Sequence, residues 1–239
     1  MEPIPITRTV WQLRFPVGHV HVVRLPDGYA LIDTGMPGSA PAILDALAQL
    51  GGRPADVRQI VLTHSHVDHM GSAADLVAAT GARVLAGAVD APFIRGAAPE
   101  PEPVHTPSER ALHEQVMARF ADADLPPLRR LEVDADLHDG DTLDDWGEPV
   151  HVLHVPGHTP GSIALHLPAG GVLFSGDIVA TAEGRVILGP FNVAREQAIA
   201  SFRRLAALEV EILCVPHGEP VTEGAGDLLR AATPEKDWI

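Results

Sequence analysis

The chain has 239 residues, 46% hydrophobic and 21% charged, an ordinary globular balance with enough apolar side chains for a sizeable core. Its formal net charge of −15 repels phosphate backbones and anionic lipid surfaces over a Debye length, which sets nucleic acid and membranes aside as partners. A single cysteine, Cys214, excludes an intrachain disulfide and any multi-thiolate zinc site.

Along the chain, Val10–Phe15 and His19–Leu25 read as strands, Pro26-Asp27-Gly28 as a turn, and Tyr29–Ile32 as a short buried strand ended by Asp33-Thr34-Gly35. Ser39 is placed to cap a helix running to about Leu50, with Ala42, Ile43, Ala46, Leu47 and Leu50 at helical spacing and Gly51-Gly52 as the stop. The buried strand Gln59–Leu62 leads straight into Thr63-His64-Ser65-His66-Val67-Asp68-His69. A helix over Gly71–Ala79 follows, then a strand over Arg83–Ala86. The stretch Ala91–Pro107 is crowded with Pro and Glu and reads as a loop. A helix from about Ser108 to Ala121 is stopped by Pro126-Pro127. Leu131–Trp146 predicts strand, turn and strand. His151–Val155, Ile163–Leu167 and Val172–Phe174 are further strands, Ala194–Leu208 is a helix, and Ile212–Val215 is the last strand. We read one domain over 1–239, with a surface insertion near 91–130.

Thirteen histidines are the compositional oddity, and their placement is informative. Within His64-x-His66-x-Asp68-His69, three imidazoles and a carboxylate follow an apolar strand. Imidazole suits borderline metals, and a carboxylate favours a dication. A polar loop that happens to be rich in histidine is the bland alternative. Against it, His158 in Pro156–Ser162, Asp177 in Ser175-Gly176-Asp177 and His217 in Pro216-His217-Gly218 occupy the same kind of place: the end of a buried strand beside a small or turn-forming residue. His19, His21, His151, His154 and His166 fall on strands and read as packed or surface histidines. His105, His113 and His138 read as solvated, with His113 the one that could line a pocket. Cys214 reads as a small buried hydrophobe.

These motifs resemble the metallo-β-lactamase superfamily: Leu31–Gly35, His64–His69, Pro156–Ser162, Phe174–Asp177 and Pro216–Gly218, in order over most of the chain. The resemblance implies an α/β fold, a four-layer αββα sandwich with metals at one edge of the two sheets. It implies that His64, His66 and His158 hold one ion, that Asp68, His69 and His217 hold a second, and that Asp177 bridges them. Two divalent ions are expected, zinc first, with iron or manganese admissible. A bridging hydroxide would attack a carbonyl. Asp68 would orient it and pass a proton to the leaving group. Asp33 has two readings, support of a ligand histidine from outside the centre, or helix capping or turn formation.

Fold alone does not choose a reaction. The resemblance is to the glyoxalase II-like and acyl-homoserine lactonase-like branch, because Asp177 stands where class B lactamases carry another residue. The charge argues against nucleic-acid phosphodiesterases. The expected reaction is hydrolysis of a lactone, ester or thioester of a neutral, partly apolar small molecule. β-Lactamase-type amide hydrolysis, a one-iron persulfide dioxygenase and a non-catalytic metal binder are the alternatives. Phe93, Phe120, Trp146, Ile187, Leu188 and Phe191 are candidate pocket walls. A cytoplasmic location is expected, since the opening Met1-Glu2-Pro3-Ile4-Pro5 lacks the two parts of a signal peptide. Oligomeric state is left open, a homodimer being one option.

Overall fold

The structure is a computed structural model and describes residues 1–120 and 124–238. Strands β1 (Ile4–Pro5), β2 (Val10–Leu13), β3 (Val20–Leu25), β4 (Gly28–Ile32), β5 (Val57–Leu62), β6 (Arg83–Gly87) and β7 (Ala135–Leu137) form one sheet in sequence order. β1 to β4 pair antiparallel, and β4 to β7 pair parallel. The second sheet has the order β14-β11-β10-β9-β8, from β8 (Thr142–Leu143), β9 (Val150–His154), β10 (Ile163–Leu167), β11 (Val172–Phe174) and β14 (Ile212–Cys214). Its pairs are antiparallel except β11 with β14, which run parallel. Strands β12 (Val179–Ala182) and β13 (Arg185–Leu188) make a separate hairpin. The helices are α1 (Ala40–Gln49), α2 (Val67–Met70), α3 (Ala73–Thr80), α4 (Ala91–Arg95), α5 (Pro107–Phe120), α6 (Arg195–Ala206) and α7 (Ala225–Ala231).

The period of two along the strands explains the layering. Val22, Leu31, Ile60 and Val84 pack with Ile43, Leu47 and Leu76 of α1 and α3, whereas their neighbours Val23, Ile32, Val61 and Leu85 meet Val152, Ile163, Leu165 and Phe174 of the other sheet. On the far side, Leu173, Leu213 and Val215 pack against Phe202 and Leu205 of α6 and Leu229 of α7. The layers therefore run helix, sheet, sheet, helix, which is the expected sandwich. Strands covered on both faces read as continuous apolar runs, and that is why so many were legible.

Several expectations need correction. Ala91–Pro107 is not wholly loop. Asp90 precedes the short helix α4, Pro92 sits in its first turn, and Gly96 ends it with φ +75°. Ser39 precedes α1 but makes no side-chain cap; its N–H donates instead to Ser72 Oγ at 2.7 Å. The helix predicted over Gly71–Ala79 is α3, which runs from Ala73 to Thr80, and the single turn α2 just before it was read as loop. α5 runs to Phe120, and the predicted end at Ala121 lies outside the described residues. The β12–β13 hairpin and α7 were not foreseen. Cys214 is buried between the sheets, as expected, and burial pushes its thiol up.

Candidate metal centre

Parallel pairing brings strand ends to a common edge. Asp33 follows β4, Thr63 to His66 follow β5, and Asp90 follows β6, all at the carboxyl ends of adjacent parallel strands. Asp177 follows β11 within one turn of 3-10 helix (Gly176–Ile178), and His217 follows the parallel β14. His158 lies in the turn between β9 and β10. His64 and His66 sit in the extended segment before α2, and Asp68 and His69 sit on its single turn, so the four point inward together. Gly18 allows this approach. It adopts φ +66°, and a Cβ there would lie 2.1 Å from the Asp68 carbonyl oxygen.

All seven predicted residues meet. His66 Nδ1 lies 3.2 Å from His64 Nε2 and 2.9 Å from His158 Nε2. Asp177 Oδ2 is 3.3 Å from both His158 Nε2 and His217 Nε2, and Asp177 Oδ1 is 3.3 Å from His69 Nε2. Asp68 Oδ2 lies 3.5 Å from His69 Nε2 and 3.3 Å from His217 Nε2. Ligand atoms therefore gather as His64/His66/His158, His64/His69/Asp177 and Asp68/His69/His217, each group with its atoms within 4.8 Å of one another. Asp177 stands between the first and last groups. His69 Nε2 and Asp177 Oδ1 are buried without a hydrogen-bond partner, which natural folds rarely leave unanswered. Converging nitrogen lone pairs and carboxylates, with buried acceptors unsatisfied, suit divalent cations.

The electrostatics agree. Burial works against the Asp177 carboxylate, yet His217, His69, His158 and His64 hold it well below the usual range. Asp68 is likewise held low, against burial, by His69 and His217. Burial opposes charge on His217 too, but Asp177 and Asp68 raise it to about 10; the same two carboxylates with Asp33 raise His69 well above its ordinary value. Burial, helped by His66 and His69 against Asp177, pushes His158 down to about 3, and burial and His69 push His64 well down. Buried Asp177 and half-buried Asp68 thus demand positive charge, while burial keeps His64 and His158 neutral as a metal requires.

Two more carboxylates fasten the ligands from behind. Thr63 N–H and Oγ1–H donate to Asp33 at 2.7 and 2.8 Å, and His69 Nδ1–H donates to Asp33 Oδ2 at 2.9 Å. That contact turns His69 Nε2, as a lone pair, toward the centre, so the support reading of Asp33 is the one the geometry favours. Asp33 holds φ +60° to do so, a left-handed conformation that aspartate tolerates. Asp90 was missed in the sequence. Its Oδ2 accepts from Ser65 N–H (3.0 Å) and Thr159 Oγ1–H (2.7 Å), and its Oδ1 accepts from Gly161 N–H (2.7 Å). It therefore ties the His64–His66 segment of one sheet to the His158 turn of the other. Burial raises its carboxyl despite these donors.

A cavity of about 440 Å³ opens on His66, Asp68, His158, Asp177 and His217. Of the wall candidates, Phe120, Ile187 and Phe191 line it, whereas Trp146 packs between the sheets, Leu188 packs under α6, and Phe93 lies elsewhere. Trp238, near the end of the chain, lines it unforeseen. His113 lines it as well and is not free in solvent: its ring stacks on His105 (4.6 Å) and against Phe191 (5.5 Å).

A sequence model of the metallo-beta-lactamase superfamily matches residues 13–217. A probable metallo-hydrolase, YflN, of Bacillus subtilis (strain 168) is 30% identical over 232 residues, covering 88% of this chain and 84% of the relative. A hydroxyacylglutathione hydrolase of Fuscovulum blasticum is 35% identical over 190 residues, which cover 79% of this chain but only 56% of the relative. Among solved structures, a HARLDQ-motif mutant of a metallo-beta-lactamase from Cronobacter sakazakii superposes with a TM-score of 0.69 at 28% identity, covering 91% of this chain and 80% of that one.

Proposed function

Because the chain belongs to the metallo-β-lactamase superfamily of metal-dependent hydrolases, we propose that it hydrolyses the carbonyl group of a lactone, ester or thioester at a two-metal centre, zinc being the expected metal. His64, His66 and His158 would hold one ion, Asp68, His69 and His217 the other, and Asp177 would touch both. Two bound divalent ions supply a water of lowered pKa and neutralise the charge that develops on the carbonyl oxygen. Asp68 does the proton work. Its carboxylate lines the cavity, is held ionised by His69 and His217, and is placed to orient the attacking water and hand a proton to the leaving group. Asp33 and Asp90 keep the ligand rings in place so that no reorganisation is needed when substrate arrives.

The observation that carries this reading is the convergence of seven donors, with His69 Nε2 and Asp177 Oδ1 unanswered, directly beneath a cavity fit for a small molecule. The partner is thus a small-molecule substrate and not nucleic acid, in keeping with the charge of −15. The test is a panel of lactones, esters, thioesters, phosphodiesters and β-lactams offered to zinc-loaded protein. Turnover of a carboxylic lactone, ester or thioester, lost in Asp68→Ala by roughly 100-fold or more, supports it. Preference for phosphodiesters, or an Asp68→Ala variant with full activity, contradicts it.

A further inference from the structure

We propose that the cavity over the metal centre is an acyl pocket for an uncharged, lipophilic group, and that Trp238, Phe191 and the apolar stripe of α5 determine that specificity. The proposal rests on the hydrolase reading and adds the substrate's character to it.

The first support is what the walls are made of. Leu112, Val116, Met117 and Phe120 lie on one side of α5 and line the cavity together. In most helices such a stripe packs into the core; here it faces the cavity, together with Phe191 and Trp238. Met117 remains 54% exposed and Val67, on the opposite lip, 40% exposed, apolar surface that a lipophilic ligand would cover. No lysine or arginine lines the cavity among the described residues. A glutathione conjugate carries two carboxylates, and this wall offers no lysine or arginine to pair with them.

The second support is that this wall is built and not incidental. Phe191 sits at φ +66°, a conformation costly for a bulky residue, and its N–H donates to Glu109 Oε1 at 3.0 Å. Glu109 is buried and closes a capping box on Thr106 at the start of α5: Thr106 N–H donates to Oε2 at 2.8 Å, and Glu109 N–H donates to Thr106 Oγ1 at 3.2 Å. Thr106 Oγ1–H in turn donates to the Trp238 carbonyl. The Trp238 indole N–H donates to the Leu188 carbonyl at 2.7 Å, and Leu188 N–H to Asp237 at 2.8 Å. Arg195 donates to the carbonyls of Pro234 (3.2 Å) and Asp237 (2.6 Å), holding the tail in place. One connected network thus positions α5, the Phe191 turn and Trp238 around the same space.

The experiment has two arms on zinc-loaded protein. In the first, calorimetry follows binding of straight-chain primary alcohols from butanol to decanol, which cannot be hydrolysed. Affinity is expected to rise about fourfold per added methylene until the cavity is filled. Trp238→Ala should flatten that rise, and Arg195→Ala should mimic it at unchanged zinc content. In the second, kcat/KM is measured for an ester series of matching chain lengths and for a hydroxyacylglutathione thioester. The same climb is expected, with the glutathione substrate at least tenfold poorer than the best ester. Alcohol affinity independent of chain length, or a preference for the glutathione thioester, overturns the proposal. Chain-length-dependent alcohol binding without turnover of any ester, lactone or thioester leaves the pocket standing and removes the hydrolase reading instead.

Discussion

Replacing Asp90 by asparagine keeps the side chain's shape but sets an amide N–H₂ against donors that now face a carboxylate oxygen, so one of its contacts to Ser65, Thr159 or Gly161 must break. Gly161 leaves no slack, since a Cβ at that position would lie 2.5 Å from Asp90 Oδ1. The candidate ligands behind those contacts are His64, His66 and His158. We predict that Asp90→Asn weakens one of two metal ions by about 10–100-fold and spares the other, measured by competition with a chromophoric chelator. Equal loss at both ions, or none, would show that Asp90 does not act through the His158 turn. The seven ligating candidates were legible because each follows a buried strand beside a turn residue, a local signal. Asp90 was not, because its partners Thr159 and Gly161 lie 69 and 71 positions away and nothing around Asp90 itself hints at them.

Among the elements, α6 illustrates how the outer layer is held. Its buried face, Ala198, Phe202 and Leu205, packs on Leu173, Leu213 and Val215 of the second sheet. Phe202 is fully buried, so Phe202→Ala should cost about 3–5 kcal/mol, read as a lowered denaturation midpoint at unchanged slope. A cost below about 1 kcal/mol would mean that the helix is not docked as described. The predicted strands over Ile163–Leu167 and Val172–Phe174 match the observed ones because they are short and almost wholly apolar, with His166 the one interruption. The β12–β13 hairpin escaped notice for the opposite reason. Alanine and threonine dilute its pattern, and its turn uses Glu183 (φ +53°) and Gly184 (φ +74°) where asparagine or aspartate would have announced a two-residue turn. The five-residue α4 and seven-residue α7 are too short to show a period.

At the scale of the molecule, the two sheets meet by packing and, at one edge, by the candidate ligand set: His64, His66, Asp68 and His69 come from the first half, His158, Asp177 and His217 from the second. Between the sheets lies His21, buried against Phe174 with its Nε2 unpartnered. Burial pushes its imidazole from the ordinary 6.5 down to about 3, with His19 adding to the effect. The unfolded chain therefore takes up a proton near pH 6.5 that the folded chain refuses until about pH 3. The associated stability is complete above the upper value and is lost as pH falls through that window. His21→Leu should flatten the decline by on the order of a few kcal/mol in urea titrations, whereas an unchanged pH profile would place the acid sensitivity elsewhere. None of this was visible in the sequence, where His21 is one strand histidine among five.

The claim on which the rest depends is that Asp177 joins two ions within one pocket. Metal content per chain, determined by elemental mass spectrometry on zinc-loaded protein freed of excess metal, tests it most directly. The account predicts two ions per chain for the wild type, falling towards one in Asp177→Ala. A single ion in the wild type, or undiminished occupancy in the variant, would contradict it.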